Sequence, residues 1–62
     1  GLNMNNLERR DEAQEEAFKT YLLIAPAFER GDYKEATRLD NLYIKQVTDS
    51  IFWEQKQQLQ DK

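Results

Sequence analysis

The sequence contains neither cysteine nor histidine. Without cysteine it cannot form a disulfide or a thiolate metal site, and without histidine it lacks the commonest general base and transition-metal ligand. Its two glycines form no phosphate-binding loop, its serine belongs to no nucleophile motif, and its acids lack the spacing of a calcium loop. We therefore expect no enzyme activity and no catalytic, cofactor-binding or metal-binding residues.

Long apolar runs are also missing. No stretch approaches the roughly 20 apolar residues that a membrane-spanning helix needs, and no segment has the basic, apolar and small-residue order of a secretory signal. These absences predict a cytoplasmic protein with no membrane partner. The net charge is −3, from twelve acidic and nine basic residues. That balance makes nucleic acid an unexpected partner, because phosphate recognition normally uses a basic stripe.

The residues that are present favour helices. The 62 residues include one proline and two glycines, many good helix formers, and no alternating pattern typical of a strand. We predict an all-α fold, an antiparallel helical hairpin. Residues 1–62 are expected to form a single small helical domain, with frayed ends at residues 1–5 and 60–62.

The segment that begins at Gly31 predicts the connection between the two helices. Gly31 can take the left-handed conformation that ends a helix. Asp32 is a favourable N-cap for the next helix, and Glu35 follows three residues later, as in a capping box. The second helix should therefore run from about Tyr33 to near Leu59, antiparallel to the first.

Pro26 interrupts the pattern of the first helix. Proline inside a helix removes one backbone hydrogen bond and clashes with the preceding turn, at a cost of ~3 kcal/mol. The sequence therefore predicts a kink or a break near residues 23–26. A break would permit an alternative fold, a compact three-helix bundle that is monomeric.

Apolar residues recur at helical spacing and define a predicted core face on each helix. The three tyrosines belong to this pattern, so core packing is favoured over stacking on nucleic-acid bases. The predicted core face consists of Leu7, Ala13, Ala17, Phe18, Tyr21, Ile24, Ala25 and Phe28 in the first helix and of Tyr33, Ala36, Tyr43, Ile44, Val47 and Ile51 in the second.

A further apolar set lies to the side of these faces, where a two-helix hairpin cannot cover it. Large exposed apolar patches usually mark an interaction surface. We therefore predict a homodimer in which two hairpins form a four-helix bundle about a two-fold axis. Trp53 is the predicted anchor of the interface, because tryptophan is enriched at binding hot spots. The predicted interface set is Leu22, Leu23, Leu39, Leu42, Phe52 and Trp53.

Asp40 falls inside the predicted core face and is therefore a candidate buried polar residue. A buried carboxylate must be paired or hydrogen-bonded. It could serve as a binding or specificity group, or it could simply pair with Arg10, Lys19, a base of a partner or a tyrosine hydroxyl. The first helix also carries an acidic stripe, which is interpreted as a solvated face and alternatively as a surface for a basic partner: Glu8, Asp11, Glu12, Glu15 and Glu16.

The six residues from Gly31 to Ala36 resemble the turn of a tetratricopeptide repeat. The resemblance stops at the turn, because Asp40 and Tyr43 stand where that repeat has an aromatic and a small residue. The sequence has no second copy, whereas about three repeats are normally needed for stability. In size and layout the chain is also similar to small plasmid-copy-control hairpin proteins, which dimerise and bind RNA.

The sequence thus predicts a small, non-enzymatic protein–protein interaction or regulatory module that acts as a homodimer, of the kind that bacteria and phages make. Its expected partners are a second copy of itself and an unidentified protein. A structural or assembly piece whose partner is only itself is a further possibility. The alternative function is a nucleic-acid-binding regulator of the small helical-hairpin type, which would use Arg9, Arg10, Lys34, Arg38 and Lys45.

Overall fold

The computed structural model of the protein describes residues 5–61. They form two helices, α1 (Asn6–Glu29) and α2 (Tyr33–Gln60), which pack against each other as an antiparallel hairpin. The predicted all-α hairpin is confirmed. The described residues contain no third helix, so the alternative three-helix bundle is wrong.

The start of α1 is capped by Asn5. Its side-chain oxygen accepts a hydrogen bond from the Glu8 backbone N–H at 2.8 Å, and its side-chain amide donates to the Glu8 carboxylate at 3.1 Å. These bonds satisfy a backbone donor that the first turn leaves without an intrahelical partner. At the other end of the chain, α2 continues to Gln60. The frayed ends predicted at residues 1–4 and 62 lie outside the described residues.

The turn combines a glycine stop with an aspartate start. Gly31 has a φ of 78° and donates its N–H to the Phe28 carbonyl at 3.0 Å, and the Asp32 N–H donates to the Ala27 carbonyl at 2.9 Å. This bonding is the Schellman arrangement of a helix C-terminus. The Asp32 carboxylate then accepts a hydrogen bond from the Glu35 N–H at 3.2 Å and caps α2. The predicted connection is confirmed.

Pro26 does not break the first helix. α1 continues through it to Glu29, so the predicted break is wrong, and a bend there stays a prediction. Proline deprives the Leu22 carbonyl of its usual donor. Both residues are exposed, so water can hydrogen-bond that carbonyl, and α1 ends within one turn. The cost of the proline is therefore smaller here than in a buried helix interior.

The helices meet along a seam of small and polar side chains. Seam residues are spaced alternately by three and four, as in a heptad pattern. Among residues 5–61, the buried positions are Ala17, Thr20, Ala27, Ala36, Leu39 and Ser50. Ala27, Ala36 and Leu39 form the apolar cluster, with Ile24 packed against it. Small side chains allow the helices to approach closely, but they bury little apolar area.

Polar contacts complete the seam. The Thr20 hydroxyl donates to the Glu16 carbonyl at 3.1 Å, and the Ser50 hydroxyl donates to the Val47 carbonyl at 2.7 Å. Each hydroxyl is thus satisfied by its own helix. Near the open end of the hairpin, Arg10 donates to the Glu54 carboxylate at 3.0 Å and links the two helices.

Replacing Gly31 with alanine should destabilise the protein by about 1–2 kcal/mol, because a side chain disfavours the left-handed conformation. No atom lies within 4 Å of the position that a Cβ would occupy, so the loss is conformational. Urea unfolding at one fixed protein concentration measures it. Gly31→Asn is the control and should lose less, because asparagine tolerates this conformation. Equal stability of the alanine variant would contradict the turn geometry.

Ala27→Leu should destabilise the hairpin by about 1–3 kcal/mol, because it inserts three heavy atoms into a closely packed seam. Ala27 is 0% exposed, whereas Ala25, two residues earlier, is exposed. Ala25→Leu adds the same three heavy atoms at a position outside the seam, and this matched control should lose less stability. Thermal unfolding followed by circular dichroism tests the pair, and an equal loss in both variants would show that Ala27 does not face α2.

Candidate interaction surface

The large apolar side chains lie mainly outside the seam. Tyr21 is 57% exposed and Ile44 is 60% exposed, values that are unusual for residues in an apolar stripe. On one side of the seam such residues from both helices form a single surface, here called the aromatic face. It consists of Phe18, Tyr21, Phe28, Tyr33, Tyr43, Ile44, Val47 and Ile51.

Ring contacts join the two helices across this face. The Tyr21 and Tyr43 rings are tilted by 47°, with centroids 5.7 Å apart. Near the turn, the Phe28 and Tyr33 rings are tilted by 53°, with centroids 5.9 Å apart. Both geometries fall in the range that aromatic pairs prefer. An open groove of about 520 Å³ lies at the end of the face that is remote from the turn, lined by Gln14, Ala17, Phe18, Tyr21, Tyr43, Val47, Ser50 and Ile51.

The spacing of the residues explains why the face exists. Along α1, positions 18, 21, 25 and 28 each follow a seam position by one residue, which rotates them by about 100° around the helix. Along α2, positions 40 and 51 follow the seam residues Leu39 and Ser50 by one residue in the same way, and positions 44 and 47 continue this stripe at helical spacing. The apolar stripe of each helix is therefore wider than one neighbouring helix can cover.

The residues of the predicted core face thus separate into a buried group and an exposed group. Its small members Ala17 and Ala36 are buried in the seam, as predicted. Its large members were predicted to be buried, and for the single chain this is wrong. The smaller residues occupy the seam because they permit a closer helix approach. The exposed members are Leu7, Phe18, Tyr21, Ala25, Phe28, Tyr33, Ile44 and Ile51.

One member of the predicted interface set is buried in the single chain: Leu39 is 4% exposed and packs with Ala27 and Ala36 inside the seam. Leu42 and Trp53 are half-buried, and Leu22, Leu23 and Phe52 are about half exposed. A role of these five in binding stays a prediction.

Trp53 lies on the other side of the seam, among charged side chains. The Arg9 guanidinium lies 4.8 Å and the Lys56 ammonium 5.1 Å from the ring centroid. The Phe52 ring meets it edge-on at 5.0 Å. Cations at these distances are attracted to the ring face. We call this region the charged groove; its volume is about 230 Å³, and it is lined by Arg9, Glu12, Ala13, Glu16, Gln46, Asp49 and Trp53.

Asp40 was predicted to be buried, and in the single chain it is exposed. It does lie in the apolar stripe of α2, one turn before Ile44, but that part of the stripe faces outward. Its predicted partners are engaged elsewhere. Arg10 pairs with Asp11 at 2.9 Å and Glu54 at 3.0 Å.

Three of the five basic residues of the alternative function are paired with acids of the same chain. Arg10 pairs as described above, Arg38 pairs with Glu35, and Lys45 pairs with Asp49 at 3.2 Å. Their charges are therefore neutralised locally. The acidic stripe of α1 is exposed throughout, and Lys19 lies 3.7 Å from two of its carboxylates.

Within residues 5–61, the structure groups no three acidic side chains in a way that could hold a metal ion. Neither of the two helices, over the same residues, has the length and apolar content needed to cross a membrane. Comparisons with known protein families, with curated proteins and with solved structures found no match to this chain. The fold and surface define the protein as an all-α hairpin with an exposed aromatic face.

Glu35 gives a prediction about pH. The Arg38 guanidinium donates hydrogen bonds to its carboxylate and, with the help of the nearby charges of Arg38 and Arg30, holds the pKa of Glu35 below its ordinary value. Because its pKa is lower in the folded protein than in the unfolded chain, the Glu35 carboxylate stabilises the fold at pH values above its unfolded pKa. This stabilisation is lost as the pH falls through the pKa of Glu35 in the folded protein. NMR titration should therefore show that the Glu35 pKa rises in Arg38→Gln.

Lys45→Gln is the control for this titration. It removes one positive charge from the same helix, but Lys45 pairs with Asp49 rather than with Glu35. The Glu35 pKa should stay near its wild-type value in this variant. If both variants raise it equally, the shift reflects the total charge of the chain rather than the hydrogen bonds from Arg38.

Proposed function

We propose that the protein is a small, non-enzymatic protein–protein interaction module of a regulatory kind that acts as a homodimer. One observation carries the proposal: a chain whose described residues bury only six side chains exposes a continuous face of large apolar ones. Contiguous exposed apolar surface on a small protein is the usual mark of a binding site. In the dimer we propose, two hairpins form a four-helix bundle.

The balance of energies supports association. A buried apolar side chain of the size of leucine contributes about 1.5–3 kcal/mol, and in the described chain Leu39 is the one large hydrophobic residue that is buried. Ordering the backbone costs about 1–2 kcal/mol for each residue. Small domains without disulfides or metals usually need exceptionally regular packing or a partner to offset this cost. An occupied aromatic face would supply the missing burial.

The composition and the ion pairs support a binding role over the other classes. Neither histidine nor cysteine is available for catalysis, and both grooves are open surfaces rather than enclosed sites that shift pKa values. The local pairing of Arg38 with Glu35 and of Lys45 with Asp49 opposes a phosphate-binding stripe. We accordingly propose a protein as the second partner and the cytoplasm as its location.

Sedimentation equilibrium over a range of concentrations tests the proposed function. We expect a species of twice the chain mass at high micromolar concentration, because a second copy would cover apolar side chains that the single chain leaves exposed. A helical species that stays at the mass of one chain under these conditions would overturn the homodimer.

A second measurement addresses the nucleic-acid alternative. Fluorescence anisotropy with a labelled RNA hairpin and a labelled DNA duplex should show no binding at low salt. Binding that weakens steeply as salt rises would instead indicate phosphate contacts and would favour a nucleic-acid-binding regulator.

A further inference from the structure

The hairpin is a single layer of helices. It extends over 47 × 22 × 12 Å along its principal axes, with its two helices side by side. Stable domains are built from at least two packed layers around a core. Both sides of the hairpin therefore lack a second layer, and the aromatic face is the side whose large apolar residues would pack against one.

The dimensions of the face suit a stable dimer. The side of the hairpin that carries the aromatic face measures 47 by 22 Å, a footprint of roughly 1,000 Å², whereas a typical specific interface buries about 800 Å² on each partner. The ring pairs Tyr21–Tyr43 and Phe28–Tyr33 lie at different points along this length. A partner that covered only one of them would leave the other in water, so the occupant must span most of the roughly 27 Å from Tyr33 to Ile51 along α2.

We infer that the aromatic face is the dimer interface, that its occupant is a second copy of this chain, and that the charged groove stays on the outside. The inference rests on the proposed homodimer and assigns the surface that forms it. A two-fold dimer uses the same patch on both subunits, so each copy supplies the other with a second layer of the required length and apolar character.

The need for a constant partner favours a second copy over a different protein. The seam of Ala17, Ala27 and Ala36 buries little apolar area, so a cover that is always present would add stability to the fold. A second copy of the same chain is present wherever the chain itself is made. The face also carries little charge by which a basic or acidic partner could be selected, and the acidic residue in its stripe is Asp40.

The charged groove is a poorer interface for the same purpose. Trp53 is already in contact with the cations of Arg9 and Lys56. Glu16 and Asp49, on either side of the groove, are each close to a lysine of their own helix. Covering this side would remove water from several ion pairs, and that desolvation opposes association. Covering the aromatic face removes water mainly from rings and aliphatic side chains.

The aromatic residues provide a direct readout on the unmodified chain. All three tyrosines belong to the aromatic face, whereas the single tryptophan and Phe52 lie on the other side of the seam. Hydroxyl-radical oxidation with mass-spectrometric detection reports on each aromatic residue separately. As the chain associates with rising concentration, Tyr21 and Tyr33 should lose most of their reactivity, and Phe52 and Trp53 should keep theirs.

The outcomes of this experiment are distinguishable. If the protein dimerises while Phe52 and Trp53 become protected and the tyrosines stay reactive, the inference falls and the proposed function stands. If the chain stays monomeric and no aromatic residue becomes protected at high micromolar concentration, both fall. Protection of the tyrosines together with a doubled mass supports both.

A matched pair of variants tests the same surface. Ile44 and Leu22 are 60% and 55% exposed, but Ile44 lies on the aromatic face and Leu22 does not. Ile44→Asp should raise the dimer dissociation constant by about 100-fold or more, because each copy loses one apolar contact and buries a charge. Leu22→Asp should change the constant only slightly. The reverse order would overturn the inference.

Alanine variants at the same two positions distinguish a weakened dimer from an unfolded chain. Alanine has the highest helix propensity, so Ile44→Ala and Leu22→Ala should keep the helical circular dichroism signal. Ile44→Ala should still weaken the dimer by about tenfold or more, and Leu22→Ala should not. An Ile44→Ala protein that associates as tightly as the wild type would contradict the assigned interface.

Discussion

The seam of small side chains between α1 and α2 determines most other features of the molecule. Ala17, Ala27 and Ala36 allow two helix backbones to approach closely along much of their length. The same small volumes bury little apolar surface, and they leave no room for larger neighbours, which are displaced to the flanks. A closely packed seam therefore has a direct cost: the residues with the most apolar area remain in water unless something outside the chain covers them.

Local chemistry made the connection between the helices predictable from the sequence. Gly31, Asp32 and Glu35 act within six residues of each other, through a positive φ, a side-chain cap and the first turn of α2. Such signals need no knowledge of distant contacts. Pro26 shows the limit of the same approach. Its effect depends on where it sits, and an exposed position one turn from the end of α1 tolerates a proline that a buried position would not.

The division of the apolar stripe could not be predicted in this way. Ala17 and Phe18 are adjacent, and either could face α2 in a helix of the observed periodicity. The same is true of Leu39 and Asp40, where the structure buries the leucine and exposes the carboxylate. Periodicity shows that a face is apolar, but its centre is set by how both helices fit together. The signal that sequence analysis missed is the heptad spacing of small residues at positions 13, 17, 20 and 27.

The free-energy change on removal of water differs between the two sides of the hairpin. On the charged side, pairs such as Lys45–Asp49 already satisfy each other in water, and covering them offers no gain to offset their desolvation. On the aromatic side, covering Tyr21 or Ile44 is favourable. Asp40 is the exception on that side, since a carboxylate left unpaired under a second layer is costly. In any dimer, Asp40 must therefore lie at a solvated edge of the interface or accept a hydrogen bond from the other copy. This requirement excludes most of the registers in which two aromatic faces could pack against each other.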